Sequence, residues 1–128
     1  MIRILVVEDE NVLAMATSWI VEDAGYSIVG PERSVETTRQ VLARLKVDLA
    51  LLDVSVGGET VVPVSEMLDA IGVPYIFITS HPVTSLPARY QSRPLLAKPY
   101  SSTALLALIQ QILGERPTAG ALPAGSAA

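Results

Sequence analysis

Cysteine is absent from all 128 residues. That excludes disulfides and thiolate metal centres, and it fits a reducing compartment. Charge is sparse as well: 17% of residues are charged and 50% are apolar, a composition that builds a compact core rather than a disordered chain. Positive charge is the scarcer sign, with 9 Lys and Arg against 13 Asp and Glu and a net charge of −4. A nucleic-acid-binding surface is therefore not expected. Long apolar runs are missing. Nothing approaches the roughly 20 residues of a transmembrane helix, so no membrane association is expected. The apolar stretch after Arg3 runs only from Ile4 to Val7 before three acids, which is no signal peptide. The single histidine, His81, is expected to be a loop residue without a role.

What is present is an alternation of strand and helix patterns. Ile2 to Val7, Tyr26 to Val29, Val47 to Asp53, Pro74 to Ile78 and Leu95 to Ala97 read as strands. Between them, Val12, Leu13, Ala16, Trp19 and Ile20 recur at helical spacing, placing Trp19 at least partly in the core, and Gly25 is a plausible stop. Ser34 reads as an N-cap for a helix whose face carries Val35, Thr38, Val41, Leu42 and Leu45. Gly57-Gly58 makes a loop before a helix over 60–70, with Pro63 in its first turn. Prolines 82, 87 and 94 leave room for only a short helix over 85–91. A last helix runs from a cap at Ser101 or Ser102 to Leu113, ended by Gly114. It is apolar nearly all round, and Leu106 and Leu113 are expected on an outer face suited to a partner or a homodimer. Residues 1–114 thus form one α/β domain, a (βα)5 doubly wound parallel five-stranded sheet. Residues 115–128, rich in Ala, Pro and Gly, read as a flexible tail.

Each strand hands a polar group to its carboxyl end: Glu8-Asp9-Glu10, Asp53, Thr79-Ser80, and Lys98 before Pro99. In an open parallel sheet those ends line one crevice, where ligands bind. Mg²⁺ needs only one or two carboxylates because it keeps several waters. Asp53 and Asp9 supply them, with Glu8 acting through water and the backbone carbonyl of Ser55 completing the set. A carboxylate beside such a cation is ionised and can attack phosphorus. Lys98 and the Thr79 hydroxyl can then hold phosphoryl oxygens. Each residue alone has a structural reading: the acids favour a helix N-terminus, Asp53 caps a turn, Thr79 is a turn residue and Lys98 a solvated charge. Four independent strand ends with compatible chemistry argue for a site.

Glu8-Asp9, Asp53, Thr79 and Lys98-Pro99, in this order and at these strand ends, make the chain resemble a receiver domain of the two-component response-regulator (CheY-like) superfamily over residues 2–113. Pro74-Tyr75-Ile76-Phe77-Ile78-Thr79, Gly57-Gly58-Glu59 and the segment from Leu86 to Tyr100 resemble the FAT GUY subgroup of stress-response receivers, which are often stand-alone. The resemblance implies a flavodoxin-like fold, a cis Lys98–Pro99 bond and a cytoplasmic, single-domain regulator without an output domain. It implies phosphorylation on Asp53, with Mg²⁺, by a histidine kinase or histidine phosphotransferase. Such a chain is not an enzyme beyond its own phosphorylation and dephosphorylation. Two departures stand out. Leu95 occupies the position where receivers commonly carry a switching Tyr or Phe, and Ser80 replaces the subgroup's glycine. The first leaves open an alternative, a phosphorylation-independent binding adaptor. An aspartyl-nucleophile phosphatase would need an acid where Ser55 stands.

Overall fold

The computed structural model describes residues 1–80 and 86–114. The chain begins with β1 (Arg3–Val7), α1 (Asn11–Asp23), β2 (Ser27–Glu32), α2 (Val35–Leu42) and β3 (Leu49–Asp53). A hairpin of β4 (Ser55–Val56) and β5 (Glu59–Thr60) leads to α3 (Val62–Ile71) and β6 (Tyr75–Thr79). A single 3₁₀ turn (Ala88–Tyr90), β7 (Leu95–Ala97) and α4 (Ser102–Leu113) complete the described chain. The five long-range strands pair in parallel in the order β2-β1-β3-β6-β7. β1 has β2 on one side and β3 on the other, so the winding reverses between β1 and β3, and the crevice opens at their carboxyl ends.

Strand alternation divides the core between two faces. Leu5, Val7, Ala50, Leu52 and Phe77 pack with Val35 and Leu42 of α2 and Val64 and Leu68 of α3. Ile4, Val6, Leu49, Leu51 and Ile76 pack with Val21 of α1 and Leu105 and Ile109 of α4. Every residue of β3 and β6 is buried, which is why these two strands read as unbroken apolar runs. Ser34 caps α2 by accepting the Thr37 amide at 3.1 Å, and Ser101 caps α4 by accepting that of Ala104 at 3.0 Å. Each cap contributes about 1 kcal/mol. The Lys98–Pro99 bond is cis, as the resemblance implies.

Four sequence expectations are corrected. The fourth crossover is not a helix over 85–91: among the described residues it holds only the 3₁₀ turn, with Pro87 at its start and Leu86 and Tyr90 buried as anchors. The stretch 81–85, with His81, and the tail 115–128 lie outside the described residues. α1 lies on the sheet through Ala14, Thr17, Ser18 and Val21, while Val12, Met15 and Trp19 are 74%, 62% and 74% exposed. Small side chains let this helix sit close to the sheet, so the core face is its less hydrophobic one and Trp19 is outside the core. Leu106 and Leu113 of α4 are half-buried and pack against the core rather than forming a fully outward face, while the large exposed apolar side chains among the described residues are Val12, Met15 and Trp19 of α1 together with Met1, Leu45 and Ile71. Finally, β2 does not stop at Val29 but runs through Gly30-Pro31 to Glu32.

Candidate functional site

Sheet register assembles the site. Val7 pairs with Leu52, which sets Glu8 level with Asp53. Asp53 pairs with Ile78, and Thr79, one step further, pairs with Ala97, the residue before Lys98. Four separate segments therefore deliver their polar residues to one end of the sheet without any long loop.

Lys98 lies at the centre. Its Nζ donates to Glu8 Oε1 at 2.9 Å and to Asp53 Oδ2 at 3.2 Å, and all three side chains are largely buried. Burial alone would lower the lysine's pKa, but its hydrogen bonds and attraction to Glu8 and Asp53 win, and it is raised above the ordinary 10.5. Glu8 is raised too: burial and the neighbouring Asp53 outweigh the Lys98 hydrogen bond. The ammonium is thus held fully charged between two carboxylates that compete for it.

Asp9 lies beside this pair. Its Oδ2 accepts the Gly57 amide at 2.9 Å, and its backbone carbonyl accepts from Arg33 Nη2 at 3.2 Å. The carboxylate oxygens of Glu8, Asp9 and Asp53 can all lie within 4.8 Å of one another. Three acids against one ammonium suit a hard divalent cation with a partly aqueous shell. Ser55, the first residue of β4, follows Asp53 closely, its amide donating to Asp53 Oδ1 at 3.4 Å. Thr79 is 1% exposed at the end of β6.

Glu8, Asp9, Asp53 and Lys98, expected from sequence, are brought together, with Ser55 and Thr79 on the adjoining strand ends. Sequence reasoning missed Arg33, the Gly57 amide and Tyr100, whose hydroxyl meets that of Thr17 on α1. The Gly57 and Tyr100 contacts join residues far apart in the chain, and no local pattern marks them. Arg33 had a signal: it lies two residues after Gly30-Pro31, a break in a strand pattern.

Residues 4–110 match the model of the response regulator receiver domain family. The chain is 32% identical over 118 aligned positions to the phyllosphere-induced regulator PhyR of Methylorubrum extorquens, covering 87% of this chain but only 43% of that protein's length. Among solved structures, SdrG from Sphingomonas melonis Fr1 is 32% identical with a TM-score of 0.77, covering 88% of this chain and 96% of that one. SdrG in its BeF3-activated conformation, from Pseudomonas melonis Fr1, is also 32% identical, with a TM-score of 0.74 over 87% of this chain and 95% of that one.

Proposed function

Because this chain belongs to the response regulator receiver family of two-component signalling, we propose that it accepts a phosphoryl group on Asp53 from a histidine kinase or histidine phosphotransferase and signals by protein contact. The observation that carries this reading is the Lys98 ammonium held between Glu8 and Asp53 at the sheet's carboxyl end, with Asp9 alongside. A carboxylate oxygen of Asp53 forms the new O–P bond as the donor's bond to phosphorus breaks, and the electron pair leaves with the donor. Lys98 neutralises charge on the transferred group, and Thr79 supplies a hydroxyl donor. Glu8, Asp9 and Asp53 would hold Mg²⁺ with the Ser55 carbonyl, and the cation would supply further charge neutralisation. The cytoplasm, where kinases and the reducing conditions expected of this chain coincide, is its proposed location.

The donor's approach is proposed along α1. Its N-terminus adjoins Glu10 beside the site, and its outer face exposes Val12, Met15 and Trp19, a contiguous apolar strip with a cavity of about 310 Å³ against it. Such a strip suits the apolar face of a helix bearing the phosphohistidine.

The test is incubation with acetyl phosphate and Mg²⁺. One acid-stable, base-labile phosphoryl group is expected on the wild-type chain and none on Asp53→Ala. Labelling of Asp53→Ala at the wild-type level overturns the assignment.

A further inference from the structure

The structure assigns to Arg33 a second cationic role in the phosphoryl-accepting site: we propose that its guanidinium meets the anionic oxygens of the phosphodonor from the β2 side, across the site from Lys98. This rests on the reading of Asp53 as phosphoacceptor and adds a residue to it.

Arg33 is brought there by an irregularity in β2. Leu5 pairs with Val29, but Val7 pairs with Glu32, so β2 carries one residue more than β1 over this stretch. The extra residue lies at Gly30-Pro31. Gly30 has φ +97°, and a Cβ there would stand 2.9 Å from the Val6 carbonyl oxygen and 2.7 Å from the Glu32 nitrogen. Only glycine fits. Bulges of this kind re-aim the side chains that follow them. Here the strand closes again through the Glu8 amide donating to the Glu32 carbonyl at 2.9 Å, which fixes the next residue, Arg33, at the rim of the crevice.

The bonding of Arg33 is incomplete in an informative way. Its Nη2 donates to the neutral carbonyl of Asp9 at 3.2 Å, its side chain is exposed, and it forms no ion pair among the described residues. A guanidinium has five N–H donors in a planar fork that matches phosphoryl oxygens. Arg33 also lines, with Glu8, Asn11, Met15 and Pro31, a cleft of about 380 Å³. It therefore borders Glu8 and Asp9 without neutralising either carboxylate. A cation so placed opposes the binding of a metal ion and favours an incoming anion. During transfer it moves no proton; it contributes charge and hydrogen bonds while Asp53 forms its O–P bond and the donor's P–O bond breaks with the pair leaving on acetate.

Those opposed effects separate this role from a merely structural one. The experiment uses the full chain as wild type, Arg33→Ala and Arg33→Lys, with two readouts: the rate of phosphoryl incorporation from acetyl phosphate at saturating Mg²⁺, and Mg²⁺ affinity by calorimetry without donor. For Arg33→Ala the rate should fall about fivefold, with a weaker dependence on salt, while Mg²⁺ should bind about twofold more tightly. Arg33→Lys should recover most of the rate. If Arg33→Ala phosphorylates at the wild-type rate, the assignment is wrong while Asp53 remains the acceptor. If its Mg²⁺ affinity falls together with the rate, Arg33 only props the Asp9 loop, and the assignment is again wrong. If the wild-type chain incorporates no phosphoryl group, both this inference and the reading beneath it fail.

Discussion

Burial and a neighbouring carboxylate push Glu8 toward its protonated form, yet a divalent cation needs it ionised. A carboxyl whose folded pKa lies above its unfolded value stabilises the fold fully below the ordinary pKa of 4.5, and that contribution is lost as pH rises through the folded value. At neutral pH the metal-free protein therefore carries a cost at Glu8. Glu8→Gln keeps the acceptor for Lys98 and removes the charge. In EDTA it should be more stable than wild type at pH 7, with the gap closing as pH is lowered toward 4.5. Denaturant midpoints measured across that range check the sign; a gap that widens on acidification would contradict it. The same substitution should weaken Mg²⁺ binding, though less than Asp9→Ala. Lys98 is the converse case. Its pKa is raised above 10.5, so the lysine's contribution is present throughout the physiological range and is lost only above that value. Lys98→Ala leaves two buried carboxylates facing each other. Metal-free stability should drop by roughly 1–3 kcal/mol, and added Mg²⁺ should restore much of it, which a thermal melt with and without the ion will show.

Among the elements, the segment before β7 replaces a regular helix with side-chain anchors. Tyr90 is 2% exposed and stands edge-on to Phe77 at 6.0 Å, which in turn stands edge-on to Tyr75 at 5.3 Å. Arg93 reaches over the Tyr75 and Tyr90 rings and pairs with Asp69 of α3, while Arg89 stacks on Tyr90 and pairs with Glu66. The segment over 86–94 is thus held to β6 and α3 largely by rings and ion pairs, with the Phe77 amide donating to the Pro94 carbonyl at 2.9 Å where β7 is about to begin. Leu95 is half-buried and packs against the same core cluster as Phe77 and Tyr90. Tyr90→Ala should cost about 3–5 kcal/mol, the usual loss for a buried aromatic ring. Tyr90→Phe should stay close to wild type, and amide exchange over 86–94 should rise only in the alanine variant. At β2, Gly30→Ala should cost about 2 kcal/mol or more, because its Cβ meets two backbone atoms. These elements also mark how far the sequence could be read. The α2 and α4 caps, the Gly114 stop and the buried strands β3 and β6 were legible because each is dictated by local chemistry. The face of α1 was not, because helix-to-sheet distance favoured Ala14, Thr17 and Ser18 over the bulkier residues that carry the stronger periodicity. The β2 bulge was not either, since Gly-Pro reads as a strand end until the pairing with β1 is known.

At the scale of the whole molecule, the site was legible because a parallel sheet turns one-dimensional strand ends into one crevice, so Glu8, Asp9, Asp53, Thr79 and Lys98 needed no tertiary guess. The proposed docking face was not, because exposure depends on which faces the packing uses up. α4 buries Leu105 and Ile109 and keeps Leu106 and Leu113 half-buried, whereas α1 exposes Val12, Met15 and Trp19 along a strip that begins near the site. That division predicts a separation of functions. Replacing Val12 and Trp19 by Ser removes exposed apolar side chains only, so stability should stay within about 0.5 kcal/mol per substitution. Phosphorylation by acetyl phosphate should proceed at the wild-type rate, since no residue of the acidic cluster is touched. Transfer from a purified phosphohistidine protein should fall about tenfold or more, because apolar anchors of this size dominate protein interfaces. Paired time courses with the two donors decide the matter. Equal losses with both would place Val12 and Trp19 in the integrity of the site itself, and no loss with the protein donor would remove α1 from the docking face.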